Sequence, residues 1–130
     1  MRASLCIRLG ALFAGLAVGL GAIAAHGMKE HFAAGEMQTF ETGVRYQMYH
    51  GLALLACGAL AAAGVRVNVA AWSFAAGTVC FSGSLYGLVL GGPRWLGPVT
   101  PIGGVLFLVG WLALVIAAGR RTTATDADRT

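Results

Sequence analysis

The stretch from Thr42 to Leu55, TGVRYQMYHGLALL, carries an arginine, two tyrosines, an amide and an imidazole straight into a long apolar run. Within it Gly43, Tyr46, Gln47 and His50 fall at i, i+3, i+4 and i+7, which places them on one face of a helix. A second histidine, His26, closes the run GAIAAHG. Two neutral imidazoles on neighbouring helices can ligate iron as a bis-histidine pair. Ser82 and Ser84, in FSGSLYG, offer hydroxyls that a positioned histidine can activate for nucleophilic attack. Tyr86 and Thr100 add a phenol and a further hydroxyl. These eight residues, His26, Tyr46, Gln47, His50, Ser82, Ser84, Tyr86 and Thr100, form the candidate polar cluster. No catalytic residue, metal or cofactor is assigned from them. Cys6, Cys57 and Cys80 lie far apart with no CxxC pair, so they are read as small apolar packing groups.

The elements that must position such a cluster follow from composition. Hydrophobic residues make up 58% of the 130 and charged residues 11%, against ~25% charged in soluble domains. Most of the surface therefore faces something apolar. The net charge of +4 does not signal nucleic acid, because the basic residues are scattered singly or in pairs and make no stripe. Four uncharged runs, each of about the ~20 residues that cross a hydrocarbon core, give spans near 6–26, 45–64, 69–91 and 98–118. The expected fold is all-α, a four-helix antiparallel transmembrane bundle forming one membrane domain over 1–119. Residues 120–130, RRTTATDADRT, are polar and aperiodic, and a disordered cytoplasmic tail is expected there. The first run also has features of a signal peptide, with AxA-like spacing before His26. It exceeds the usual apolar length of such peptides and is read as a retained span.

Four spans place Arg2, Arg8, Arg66, Arg120, Arg121 and Arg129 on one side and Lys29, Arg45 and Arg94 on the other. The positive-inside rule then puts both termini in the cytoplasm. With that orientation the polar cluster gathers in the outer half of the bundle, and only Ser73 and Thr78 stand apart from it. A polar group facing lipid is costly, so the cluster should turn inward. It serves there either as an interhelical hydrogen-bond network or as a pocket around His26, His50 and Tyr86. Between the first two spans, Phe32, Met37, Phe40 and Val44 fall near one side of a helix, which predicts a short amphipathic helix on the outer interface. Gly15 and Gly19 in the first span, and Gly83, Gly87 and Gly91 in the third, have the four-residue spacing of packing ridges.

The blocks GAIAAHG, TGVRYQMYHGLALL, FSGSLYGLVL and VTPIGGVLFLVGW touch all four spans in order. With them the chain resembles the YgdD/YwdK-type family of small membrane proteins, a domain of unknown function. Ile23 stands where that family often has an aromatic residue. The resemblance implies a four-span inner-membrane protein without an established activity, and it carries over His26, Tyr46, Gln47, His50, Ser82, Ser84, Tyr86, Thr100, Pro101, Gly103 and Gly104 as motif members only.

Three functions compete on these grounds. The leading expectation is a non-enzymatic scaffold or accessory subunit of a membrane complex. Its partners would be the lipid bilayer and a larger membrane protein assembly, or a second copy joined through the glycine ridges. The alternative is a binding or transport protein with an outer-leaflet pocket, and the third reading is an enzyme or haem carrier. Proton-coupled export is disfavoured, because every Asp and Glu lies outside the spans.

Overall fold

The computed structural model describes the backbone of residues 1–28 and 30–127, and the side chains of residues 1–27 and 30–119. Four α-helices follow one another: α1 (Ala3–Ile23), α2 (Ala34–Ala62), α3 (Asn68–Val89) and α4 (Leu96–Ala127), with a π-helical turn (Ala24–Met28) after α1. α1 packs on α2, α2 on α3, and α3 on α4. The structure is all-helical, as the long apolar runs with short links require.

Leu5, Leu12, Leu16 and Val18 on α1, with Leu108, Leu112 and Val115 on α4, are exposed. Gln47, His50, Ser73, Thr78, Ser82 and Ser84 are buried instead. That inversion of the soluble pattern suits a chain whose solvent is lipid. α1 extended to Gly27, and α4 as far as Gly119, are long and apolar enough to cross a bilayer, with mean hydropathies of 1.9 and 2.4. α2 and α3, at 29 and 22 residues, also have the length; Gln47, His50, Ser73, Thr78, Ser82 and Ser84 on them are buried, whereas Glu36, Glu41 and Arg45 are exposed in the N-terminal part of α2.

Two expectations about helix limits change. The segment before Arg45 forms no separate interfacial helix, because α2 starts at Ala34 and runs through it without a break. Glu36 accepts the backbone N–H of Ala33 at 2.9 Å and so closes the first turn. Phe40 and Val44 then pack against Ala24, Val89 and Tyr86 rather than lying on an interface. α4 continues to Ala127, past the expected start of the tail at Arg120, and 128–130 lie outside the described residues. Pro101 sits inside α4, one turn beyond Pro98.

The glycine seams differ most from expectation. A Cβ on Gly15, Gly19 or Gly83 would meet nothing within 4 Å, so none of the three makes a close approach inside the bundle. Gly91 has φ of 80° and Gly64 of 81°. At both, a bond from the next residue's N–H back to an α-helical carbonyl (Gly92 to Gly87 at 2.7 Å, Val65 to Leu60 at 2.9 Å) ends the helix with a left-handed cap. Only Gly87 of the expected set lies at a helix contact, 2.6 Å from Leu96 Cδ1 to its would-be Cβ. The close approaches are elsewhere. Added Cβ atoms would come within 2.7 Å of the Gly51 carbonyl at Gly10, 2.6 Å of Ile7 at Gly58, 2.7 Å of Phe107 at Gly77 and 2.5 Å of Phe74 at Gly110, while Gly103 abuts the Phe81 backbone. Gly51 and Gly58 on α2, and Gly103 and Gly110 on α4, are seven residues apart, the period of a helix-packing seam rather than of GxxxG.

Below the polar level Cys6, Leu54, Cys57, Ala71, Phe74 and Phe107 form the main core. The three cysteines are free. The N-terminal ammonium donates to Asn68 Oδ1, tying the start of α1 to the start of α3.

Candidate functional site

α2 organises the polar residues because its inward face meets three helices. Gln47, 5% exposed, donates from Nε2 to the Phe13 carbonyl of α1 at 2.9 Å. Its Oε1 accepts the Tyr86 hydroxyl of α3, also at 2.9 Å. One amide thus joins α1, α2 and α3. A turn earlier, Ser82 Oγ donates to the Gly43 carbonyl at 2.8 Å, which the absent side chain at Gly43 leaves reachable. The Tyr86 ring fills the same gap, 2.7 Å from where a Cβ on Gly43 would stand, and packs on Phe40. Ser84 and Thr100 share a 2.7 Å bond that joins α3 to α4.

His50, 4% exposed, points between α3 and α4. Nδ1 lies 2.8 Å from the Tyr46 carbonyl, and Nε2 lies 3.2 Å from Trp111 Nε1. A carbonyl only accepts and an indole N–H only donates, so these partners assign the neutral tautomer with its proton on Nδ1. Phe107 stacks on the ring with centroids 3.4 Å apart. Both nitrogens and one face of His50 are occupied. Among the described residues, no buried side-chain nitrogen or oxygen lacks a partner.

The expected cluster therefore divides. Gln47 and Tyr86 form one set, Ser82 binds Gly43, Ser84 binds Thr100, and His50 turns to α4. His26 joins none of these. It is exposed in the π-helical turn. The α1–α2 pairing sets Gly21 beside Val44 and Gly10 beside Gly51, so at a rise of ~1.5 Å per residue His26 stands about 16–23 Å along the axis from His50. The two histidines are not at one depth, and an iron held between them has no geometric basis. Ser82 and Ser84 donate to carbonyls at Gly43 and Phe81 rather than to His50. Among the described residues no group of three or more His, Cys, Asp or Glu can hold a metal.

Trp111, the indole that fixes His50, was not among the expected residues. Its signal was weak but readable: it is the lone N–H donor in the apolar run GVLFLVGWLALV, and an indole in a bundle needs an acceptor. Beside it lies a groove of about 680 Å³ lined by Tyr46, Tyr49, His50 and Leu52 of α2, Phe81 of α3, and Gly104, Phe107, Leu108 and Trp111 of α4. Tyr46 stacks on Phe81 at 4.7 Å, and Trp111 meets Phe74 edge-on at 4.9 Å.

Comparison with known proteins agrees with this inverted polarity. Residues 20–104 match the family model described as protein of unknown function (DUF423). A UPF0382 membrane protein of Staphylococcus epidermidis is 52% identical over 112 residues, covering 85% of this chain and 92% of that one. Relatives of the same description in Staphylococcus aureus (strain bovine RF122) and Staphylococcus haemolyticus are 50% and 47% identical, each over 87% of this chain and 93% of theirs. No solved structure matches the chain. With its matched segment covering the closed polar set and most of the groove, the chain is a membrane protein of the DUF423 family of unknown function.

Proposed function

We propose that the chain is a non-enzymatic scaffold or accessory subunit of a membrane complex, crossing the inner membrane four times with both termini cytoplasmic. One observation supports it above others: Gln47, His50, Ser82 and Ser84, four of the six buried polar side chains among the described residues, are each bonded to another helix. A catalytic or transport site keeps a nucleophile, base or ligand-binding atom free at a cavity. Here Gln47, Ser82, Ser84, Tyr86 and both nitrogens of His50 are engaged within the chain. Such interhelical bonds are worth about 0.6–2 kcal/mol each and define which helices pair.

Replacement of His50 tests the role. An amide supplies one donor and one acceptor but neither titrates near neutrality nor replaces imidazole as an iron ligand. His50→Gln should keep thermal stability in detergent and complement a deletion strain, whereas His50→Ala should lose stability. A Gln variant that folds yet fails as completely as Ala would overturn the scaffold reading. So would a Soret band in the purified protein that vanishes in His50→Ala. The topology is tested separately. A reporter at Gly35 should read outside and one after Gly119 inside, following the six-to-three arginine and lysine bias.

A further inference from the structure

We propose that the groove between α2 and α4 binds an anionic glycerolipid, with its phosphate on Arg45 and one acyl chain laid between Tyr49 and Trp111. This inference needs the membrane location but not the scaffold role.

The groove and its rim match such a lipid part by part. Arg45, Tyr49 and Leu52 follow i, i+4 and i+7, and all three are exposed, so the cation stands at the end of the strip of α2 that walls the groove. Arg45 makes no ion pair among the described residues; Glu41 lies one turn away, and no bond joins the two. A guanidinium at that position is matched to a phosphate. The hydroxyls of Tyr46 and Tyr49, both exposed, have no hydrogen-bond partner among the described residues. They are donors at the level where ester carbonyls follow the phosphate. Trp111 cannot serve, since its N–H is held by His50. Beyond them the lining is Leu52, Phe107, Leu108 and Trp111, uncharged and apolar, as a hydrocarbon chain needs.

A partner helix fits less well. Helices approach one another in lipid over small residues, and this groove is walled by large rings with Gly104 as its one small residue. Its volume of about 680 Å³ also lies in the range of small-molecule sites, ~300–1,000 Å³.

The test is a native mass-spectrometry titration of the full chain in mild detergent with dioleoyl phosphatidylglycerol and dioleoyl phosphatidylcholine. The wild type should bind phosphatidylglycerol about fivefold more tightly, the value of one basic residue at an anionic surface. R45Q should abolish that preference, weakening phosphatidylglycerol more than phosphatidylcholine, whose phosphate is already partly offset by its choline cation, and R8Q, at an exposed cation away from the groove, should change nothing. G104L should reduce binding of both lipids without lowering the unfolding temperature, because a Cβ there has 3.9 Å of clearance to Phe81 and the added side chain fills the groove. Equal binding of the two lipids to wild type, or equal loss in R8Q and R45Q, would overturn the proposal. So would a G104L chain that keeps its lipids, including one that changes from dimer to monomer and thereby assigns the groove to a second copy.

Discussion

Toward α1 and α3, the face of α2 presents Gly43 and Gln47, and everything there is closed: the carbonyl of Gly43 takes Ser82, and the amide of Gln47 takes Phe13 and Tyr86. Toward α4 the same helix presents Tyr46, Tyr49 and Leu52 around an open groove, with two phenols left free. Only His50, between the two, is closed on the α4 side. A bilayer offers no water to satisfy a stray donor, so polar groups either pair inside the chain or wait for something amphipathic. The closed side is the fold. The open side is where another molecule has room.

Steric seams should separate the two sides most strongly. Gly51→Leu or Gly103→Leu forces a side chain into backbone (a Cβ at Gly51 is already 3.0 Å from the Ala14 nitrogen), and either should lower stability in detergent by ~1–3 kcal/mol or more. Gly15→Leu and Gly83→Leu, which meet open space, should stay within about 0.5 kcal/mol of wild type. Equal losses at all four would mean that the seams are misplaced. Next in size is Tyr86→Phe, which leaves the Gln47 oxygen buried without its donor and should cost ~1–3 kcal/mol. Smallest is Tyr49→Phe on the open side, expected within about 0.5 kcal/mol. Unfolding by heat or denaturant in one detergent measures the whole series, and a Tyr49 loss matching that of Tyr86 would erase the contrast between the faces.

Much of the closed side was legible before any coordinates. Four long uncharged runs with short links leave a helical bundle as the solution in lipid, and the cost of exposing Gln47 and His50 to acyl chains turned their face inward. Pairing was not legible. Gln47 bonds a main-chain carbonyl at Phe13, which no side chain advertises. A pocket shared by His26 and His50 does not form because α2 begins at Ala34, well before the apolar run, which carries His50 several turns from the end of α1. The glycine ridges misled for a related reason. Spacing of four marks glycines on one face but not what that face meets, and Gly91 serves the left-handed cap of α3 instead. The sevenfold spacing in α2 and α4 carried the seam, and the groove beside it is lined from three helices at once, which no local pattern encodes.

Polar side chains act here as bonds between helices, and the Gln47–Tyr86 contact at 2.9 Å is the one such bond between two side chains of α2 and α3 among the described residues. A double-mutant cycle with Gln47→Ala, Tyr86→Phe and the pair, followed by unfolding in detergent, measures their coupling free of each residue's other contacts. The structure predicts a favourable coupling of about 0.6–1.7 kcal/mol, the range found for interhelical bonds in membranes. Strictly additive losses, with the second substitution costing as much in the first variant as in the wild type, would show that the two side chains do not bond, and would return Gln47 and Tyr86 to the pool of groups free to bind a ligand.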